Sequence, residues 1–199
     1  MNFNRRQFLG AMAAGTAGLT APRAYATVSS GSRPALLPRA MAALQAHGNS
    51  IAHRDVIGIV DFAALSRSPR FQLVDIGNGR VLDTLLVSHG RGSDPSNRGW
   101  VERLSNVPGS NASSSGSFLT GATYHGKHGR SRRLHGLDPE NSLALQRAIV
   151  IHAASYVNQD MALTQGRIGR SQGCFAVADD DIGAVLSRLG DGRLLFAAK

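Results

Sequence analysis

The chain carries a single cysteine, Cys174, and that count constrains its fold more than any other feature. One thiol cannot close an internal disulfide, so the fold must rest on hydrophobic packing. Short apolar runs supply it. Val56–Asp61, Phe71–Ile76 and Val81–Val87 read as strands, and the last two flank Gly77–Arg80 as a hairpin with a glycine-rich loop. Phe118–Tyr124, Ala148–His152, Cys174–Val177 and Arg193–Ala197 read as four more. Pro38–His47 predicts a short helix, with Leu37, Met41 and Leu44 at helical spacing. A second helix opens at Asp179-Asp180-Asp181, where acids suit the dipole. Ile182, Val185, Leu186 and Leu189 give it one apolar face, and Gly190 is expected to cap it. The result is a β-rich domain with short helices near its ends. His89–Ser117 reads as a long loop of the kind that carries function. His125–His135 reads as a basic loop holding three histidines, three arginines and Lys127.

The cysteine sits in Ser171-Gln172-Gly173-Cys174. Glycine before a thiol lets the backbone turn sharply and frees amide N–H groups for an oxyanion. A thiol is a weak nucleophile at its free pKa of about 8.5 and needs a neighbouring base or cation. A free cysteine is also often a small buried hydrophobe, so spacing alone leaves both readings open. His152 ends a strand, and a Gly/Arg-rich connection lets the chain fold back from it to Cys174. It is the best candidate base. All seven histidines precede Cys174, an order opposite to that of papain-type and cell-wall amidase thiol enzymes. If an imidazolium holds a thiolate here, the thiol pKa is expected below its free value.

The N-terminus suggests a compartment. Arg5-Arg6-Gln7-Phe8-Leu9, an apolar stretch from Ala11 to Ala21, and Ala24-Tyr25-Ala26 have the order of an export signal. The paired arginines resemble a twin-arginine signal. Residues 1–26 are thus expected to be a signal peptide, 27–50 a linker and short helix, and 51–199 the catalytic domain. The expected location is the periplasm or cell envelope. No membrane anchor is expected. The formal net charge is +9, and it stays positive once Arg5, Arg6 and Arg23 are removed. Such a chain can be drawn to an anionic wall polymer. Nucleic acid is not expected as a partner, because no aromatic residues interleave with a basic stripe.

His152 followed by Ser171-Gln172-Gly173-Cys174 resembles the catalytic signature of the L,D-transpeptidases, the YkuD-type family. Ser113–Phe118 resembles that family's strand entry. Asn106, Ser110, Ser114-Ser115-Gly116, then Tyr124-His125-Gly126-Lys127-His128-Gly129 and Gly136-Leu137, resemble its murein branch. Gln172 stands where the family carries histidine, and Ala176 where it carries asparagine. The resemblance implies a mainly β fold, a β-sandwich of mixed sheets with short flanking helices. It implies Cys174 as nucleophile, His152 as base, the Ala153 carbonyl orienting the imidazole, and Gly173 and Cys174 amides holding the oxyanion. Peptidoglycan stem peptides are the implied partner, with Ser171, Gln172, Arg170 and Tyr124 as substrate contacts.

A monomer without cofactor is expected. His125-x-x-His128 with His135 lacks a clear further metal ligand, so no metal is expected. Arg130, Arg132 and Arg133 are candidates for carboxylate contacts. Trp100 reads as a packing anchor. Two alternatives remain: a sortase-like transpeptidase using Arg188 or Arg193, and an inactive wall-binding module.

Overall fold

The computed structural model describes residues 34–199; the segment expected to be a signal peptide, residues 1–26, and residues 27–33 of the expected linker lie outside them. Helix α1 (Leu37–Ala46) comes first. Strands β1 (Val56–Asp61), β2 (Phe71–Asp75) and β3 (Arg80–Leu85) follow. After the long loop come β4 (Gly116–Gly126), β5 (Gly129–Gly136) and β6 (Val150–Ala153). Helix α2 (Gln159–Gln165), β7 (Phe175–Val177), α3 (Ile182–Arg188) and β8 (Leu194–Ala198) complete the chain. The eight strands form one mixed sheet in the order β3-β2-β1-β8-β4-β5-β6-β7. β1 runs parallel to β8, and β6 runs parallel to β7. The mainly β, mixed-sheet expectation holds, with a single continuous ladder supplying the layers.

Alternation along the strands explains how one sheet builds two cores. Ile57 and Ile59 of β1, with Leu194 and Phe196 of β8, face α1 and pack on Leu36, Ala40 and Leu44. Val60, Leu195 and Ala197 face the other way, into the main core. That core joins Phe71 of β2 to Phe118, Leu134, Ile151 and Phe175, from strands far across the sheet. Phe175 stacks on Phe62 at 5.9 Å and meets Phe118 edge-on at 5.3 Å. The sheet therefore curls over these rings, and β7, which follows the cysteine turn, is locked into the centre.

The structure departs from the sequence reading at three places. His125–His135 is a hairpin, with His125 paired to Arg130 and Gly126 to Gly129. Its strand β5 buries Ser131, Arg132 and Leu134. A strand with one apolar residue escapes a search for apolar alternation. The 159–165 segment is a helix, capped by the Asn158 side chain accepting from the Met161 N–H at 2.7 Å and ended by Gly166 at φ +66°. α3 is followed by Leu189 at φ −92°, and Gly190 does not have a positive φ, so it is not a left-handed cap.

Candidate active site

Parallel pairing sets Ile151 beside Phe175 and His152 beside Ala176. Cys174, one residue before β7, therefore falls beside Val150, and His152 lies two residues further along β6. The thiol and the imidazole line one cleft of about 680 Å³. His152 is buried, and its Nδ1 lies 2.8 Å from the Ala153 carbonyl. A carbonyl only accepts, so Nδ1 carries the proton and Nε2 is the bare nitrogen. Burial pushes the His152 pKa down; the Ala153 bond opposes this, while His128 and Lys127 add to it. The imidazole is neutral at neutral pH.

The resting thiol donates to the Ala148 carbonyl at 3.5 Å. Ala148 is held at φ +54°, a left-handed conformation unusual for a residue with a Cβ. Burial raises the thiol pKa, opposed by a backbone bond from Val150 and by Lys127 and Arg147. The expectation of a thiol pKa below its free value is thus overturned, because desolvation outweighs the nearby cations. The resting pair is a neutral thiol and a neutral imidazole.

The turn that presents Cys174 is tightly fixed. Ser171 Oγ donates to the Cys174 carbonyl at 2.7 Å and accepts from the Gly173 N–H at 3.1 Å. Ser171 Oγ therefore shapes the turn while the residue also lines the cleft, and the Gly173 N–H is engaged within the turn. Gly173 has φ +118°, and a Cβ there would lie 2.8 Å from the Ala112 carbonyl oxygen. Only glycine fits.

Beneath the turn lies a group of residues that the sequence reading missed. Arg70, His89 and Asp94 are all buried. Arg70 donates to the Val87 and Ala64 carbonyls and to His89 Nδ1, the last at 2.7 Å. Nδ1 is therefore bare, and Nε2 donates to Asp94 Oδ2 at 3.3 Å. The Asp94 carboxylate also accepts the Arg98 and Gly99 N–H groups at 2.8 Å each. Burial lowers Arg70 to about 9, against the pull of Asp61 and Asp94. Burial, then Arg70, lowers His89 to about 4, so it is a neutral bridge between opposite charges. The bridge reaches the cysteine turn: Ser171 N–H donates to the His89 carbonyl at 2.9 Å, and Arg170 donates to the Asp94 carbonyl.

The remaining walls come from the hairpin and the serine-rich loop. Tyr124, Lys127 and His128 line the cleft from β4–β5. Arg133 lies over the Tyr124 ring at 4.4 Å. Arg147 ties down the loop by donating to the Ser105 carbonyl and Ser114 Oγ, both at 2.7 Å. Tyr156, also missed, lines the cleft and is held as a phenol, its pKa raised to about 12 by burial and by Cys174. Gln172 and Arg170 also line the cleft.

Other candidates fall elsewhere. Arg132 is buried and donates to the Gly121 and Leu186 carbonyls, so it cannot meet a substrate. Arg188 and Arg193 are paired with Asp83 and Asp55 and do not line the cleft, which removes the sortase-like arrangement. Trp100 is 46% exposed, so it is not a packing anchor. His125 and His135 sit on separate strands of the hairpin, and among the described residues no three metal-ligating side chains converge. Nor is any described helix long and apolar enough to cross a membrane.

A family model for the L,D-transpeptidase catalytic domain matches residues 29–198. No curated protein matches the chain. Among solved structures, an L,D-transpeptidase from Mycobacterium smegmatis is 14% identical with a TM-score of 0.46, covering 73% of this chain and 59% of that one. L,D-transpeptidase 3 from Mycobacterium tuberculosis is 11% identical with a TM-score of 0.46, covering 73% and 61%. An L,D-transpeptidase from Xylanimonas cellulosilytica is 16% identical with a TM-score of 0.42, covering 81% and 70%. The chain spans about three fifths of the mycobacterial structures it matches.

Proposed function

The chain belongs to the L,D-transpeptidase catalytic domain family, and on that premise we propose that it is an exported cysteine acyltransferase acting on peptidoglycan stem peptides. One observation carries this reading. The sole thiol and a buried, neutral imidazole line the same cleft, and the imidazole's other nitrogen is fixed by Ala153.

Cys174 Sγ attacks the carbonyl on the L-centre of diaminopimelate in a tetrapeptide stem. His152 Nε2 takes the thiol proton as the C–S bond forms, so no thiolate need exist beforehand. The oxyanion is met by the Cys174 N–H. His152 returns the proton to the leaving nitrogen, the amide bond breaks, and D-alanine departs, leaving a thioester. A diaminopimelate amine then attacks to give a 3-3 cross-link, or water attacks to give a tripeptide. Lys127, Arg147 and Arg170 line the cleft and no acid does among the described residues, which suits a carboxylate-bearing peptide. Residues 1–26 serve as the export signal and place the enzyme in the periplasm or cell envelope.

The test is incubation with purified tetrapeptide muropeptides and reading of the products by mass. Cross-linked dimers or tripeptides, lost in Cys174→Ala, are expected. Unchanged tetrapeptides with a folded protein would refute the reading in favour of an inactive wall-binding module.

A further inference from the structure

His128 is one of the two residues in the tight turn between β4 and β5, where Gly126 pairs with Gly129. It is an exposed residue at a hairpin tip, yet its ring lies flat on that of buried His152. The centroids are 4.2 Å apart and the planes 21° from parallel. His152 is otherwise held through one nitrogen, by the Nδ1 bond to Ala153. A single hydrogen bond at one edge leaves an imidazole able to swing and to exchange tautomers. The tautomer with Nε2 protonated has no lone pair to offer a thiol there. A contact on the ring face stops the swing and so preserves the Nδ1–H bond to Ala153 that sets the tautomer.

We propose that His128 is a positioning residue that, stacked from the hairpin tip, holds His152 in the rotamer and tautomer presenting bare Nε2 to the cleft. The proposal rests on the reading of His152 as the base. The stack requires a flat ring and not a titrating one. The other titratable groups lining this cleft are Lys127 beside His128, Tyr124 on β4, Arg147, Tyr156, Arg170 and Cys174.

The test compares His128→Ala, His128→Phe and His128→Gln with the wild-type protein by two readouts. The first is the ¹⁵N spectrum of the His152 ring at a pH where it is neutral, assigned by its loss in His152→Gln. Wild type and His128→Phe should show Nδ1 protonated, whereas His128→Ala and His128→Gln should shift part of the population to Nε2–H. The second is the rate of acylation of Cys174 by imipenem. His128→Ala and His128→Gln should slow it roughly 10- to 100-fold, the scale of a misplaced catalytic group, while His128→Phe stays near wild type. All variants should keep the wild-type thermal midpoint. If His128→Phe is as slow as His128→Ala, the nitrogens matter and the stacking role is wrong. A wild-type rate and tautomer in His128→Ala overturns it equally. If the wild-type protein takes no acyl group, the acyltransfer reading fails, and the tautomer comparison alone decides whether the stack positions the ring.

Discussion

Cys174 stands on a floor of buried polar groups, whereas His152 is covered by the tip of an exposed hairpin. Beneath the cysteine, Arg70, His89 and Asp94 are sealed from water, and Ser171 fixes the turn through both its hydroxyl and its main chain. Each bond there satisfies a group that would be costly to leave unpaired. On the hairpin side, His125 to Arg130 are exposed, and the contact with His152 is a ring stack. The difference separates two jobs. The floor is coupled to folding, so damage there should appear as instability. On the proposed function the hairpin is coupled to the reaction, so damage there should appear as lost rate in a protein that remains folded.

The largest effect tests the base. His152→Ala should slow acylation by imipenem roughly 10²–10⁴-fold, the usual worth of general-base assistance. Alkylation by iodoacetamide above pH 9 should barely change, because the imidazole does not hold a preformed thiolate. Equal loss in both reactions would restore the ion-pair picture.

The floor comes next. His89→Leu strands Arg70 and Asp94, and breaking a buried charge network costs about 3–5 kcal/mol. At roughly 2–4 °C per kcal/mol for a domain of this size, the thermal midpoint should fall clearly. His89→Gln, able to accept from Arg70 and donate to Asp94, should lose much less. If both variants melt like the wild type, the floor is not coupled to folding.

These two sides were unequally legible in the sequence. Ser171-Gln172-Gly173-Cys174 and the strand-ending His152 declare themselves because their chemistry is local. Arg70, His89 and Asp94 lie in loops, where charged residues read as solvated, and only the long-range closure of the sheet brings them together. His128 was hidden for another reason. β5 is a polar strand, so the segment read as a basic loop, and nothing in a loop predicts a ring laid on a particular partner. The strands with apolar alternation were read nearly to the residue, β1 with both ends correct.

pH provides a third test. Unfolded His89 binds a proton near pH 6.5, while the folded residue resists until about 4. The folded state binds fewer protons in that window, so stability should drop as pH falls from about 6.5 to 4. At 1.36 kcal/mol per unit the loss is up to ~3 kcal/mol. His89→Gln should flatten this part of the curve. A slope unchanged by His89→Gln would place the titrating group elsewhere.

The smallest effect belongs to the hairpin. Lys127 is exposed and lines the cleft. Lys127→Gln should leave the thermal midpoint unchanged and alter KM for a carboxylate-bearing muropeptide only a few-fold, less at high salt as screening grows. A melting loss comparable to that of His89→Leu would break the contrast between the two sides.

The most direct test is to find the acyl group. The folded protein, incubated with imipenem and digested, should yield one adduct on the peptide containing Cys174. Cys174→Ala, with an unchanged thermal midpoint, should yield none. An adduct on another residue, or no adduct on a wild-type protein that converts muropeptides, would contradict Cys174 as the nucleophile.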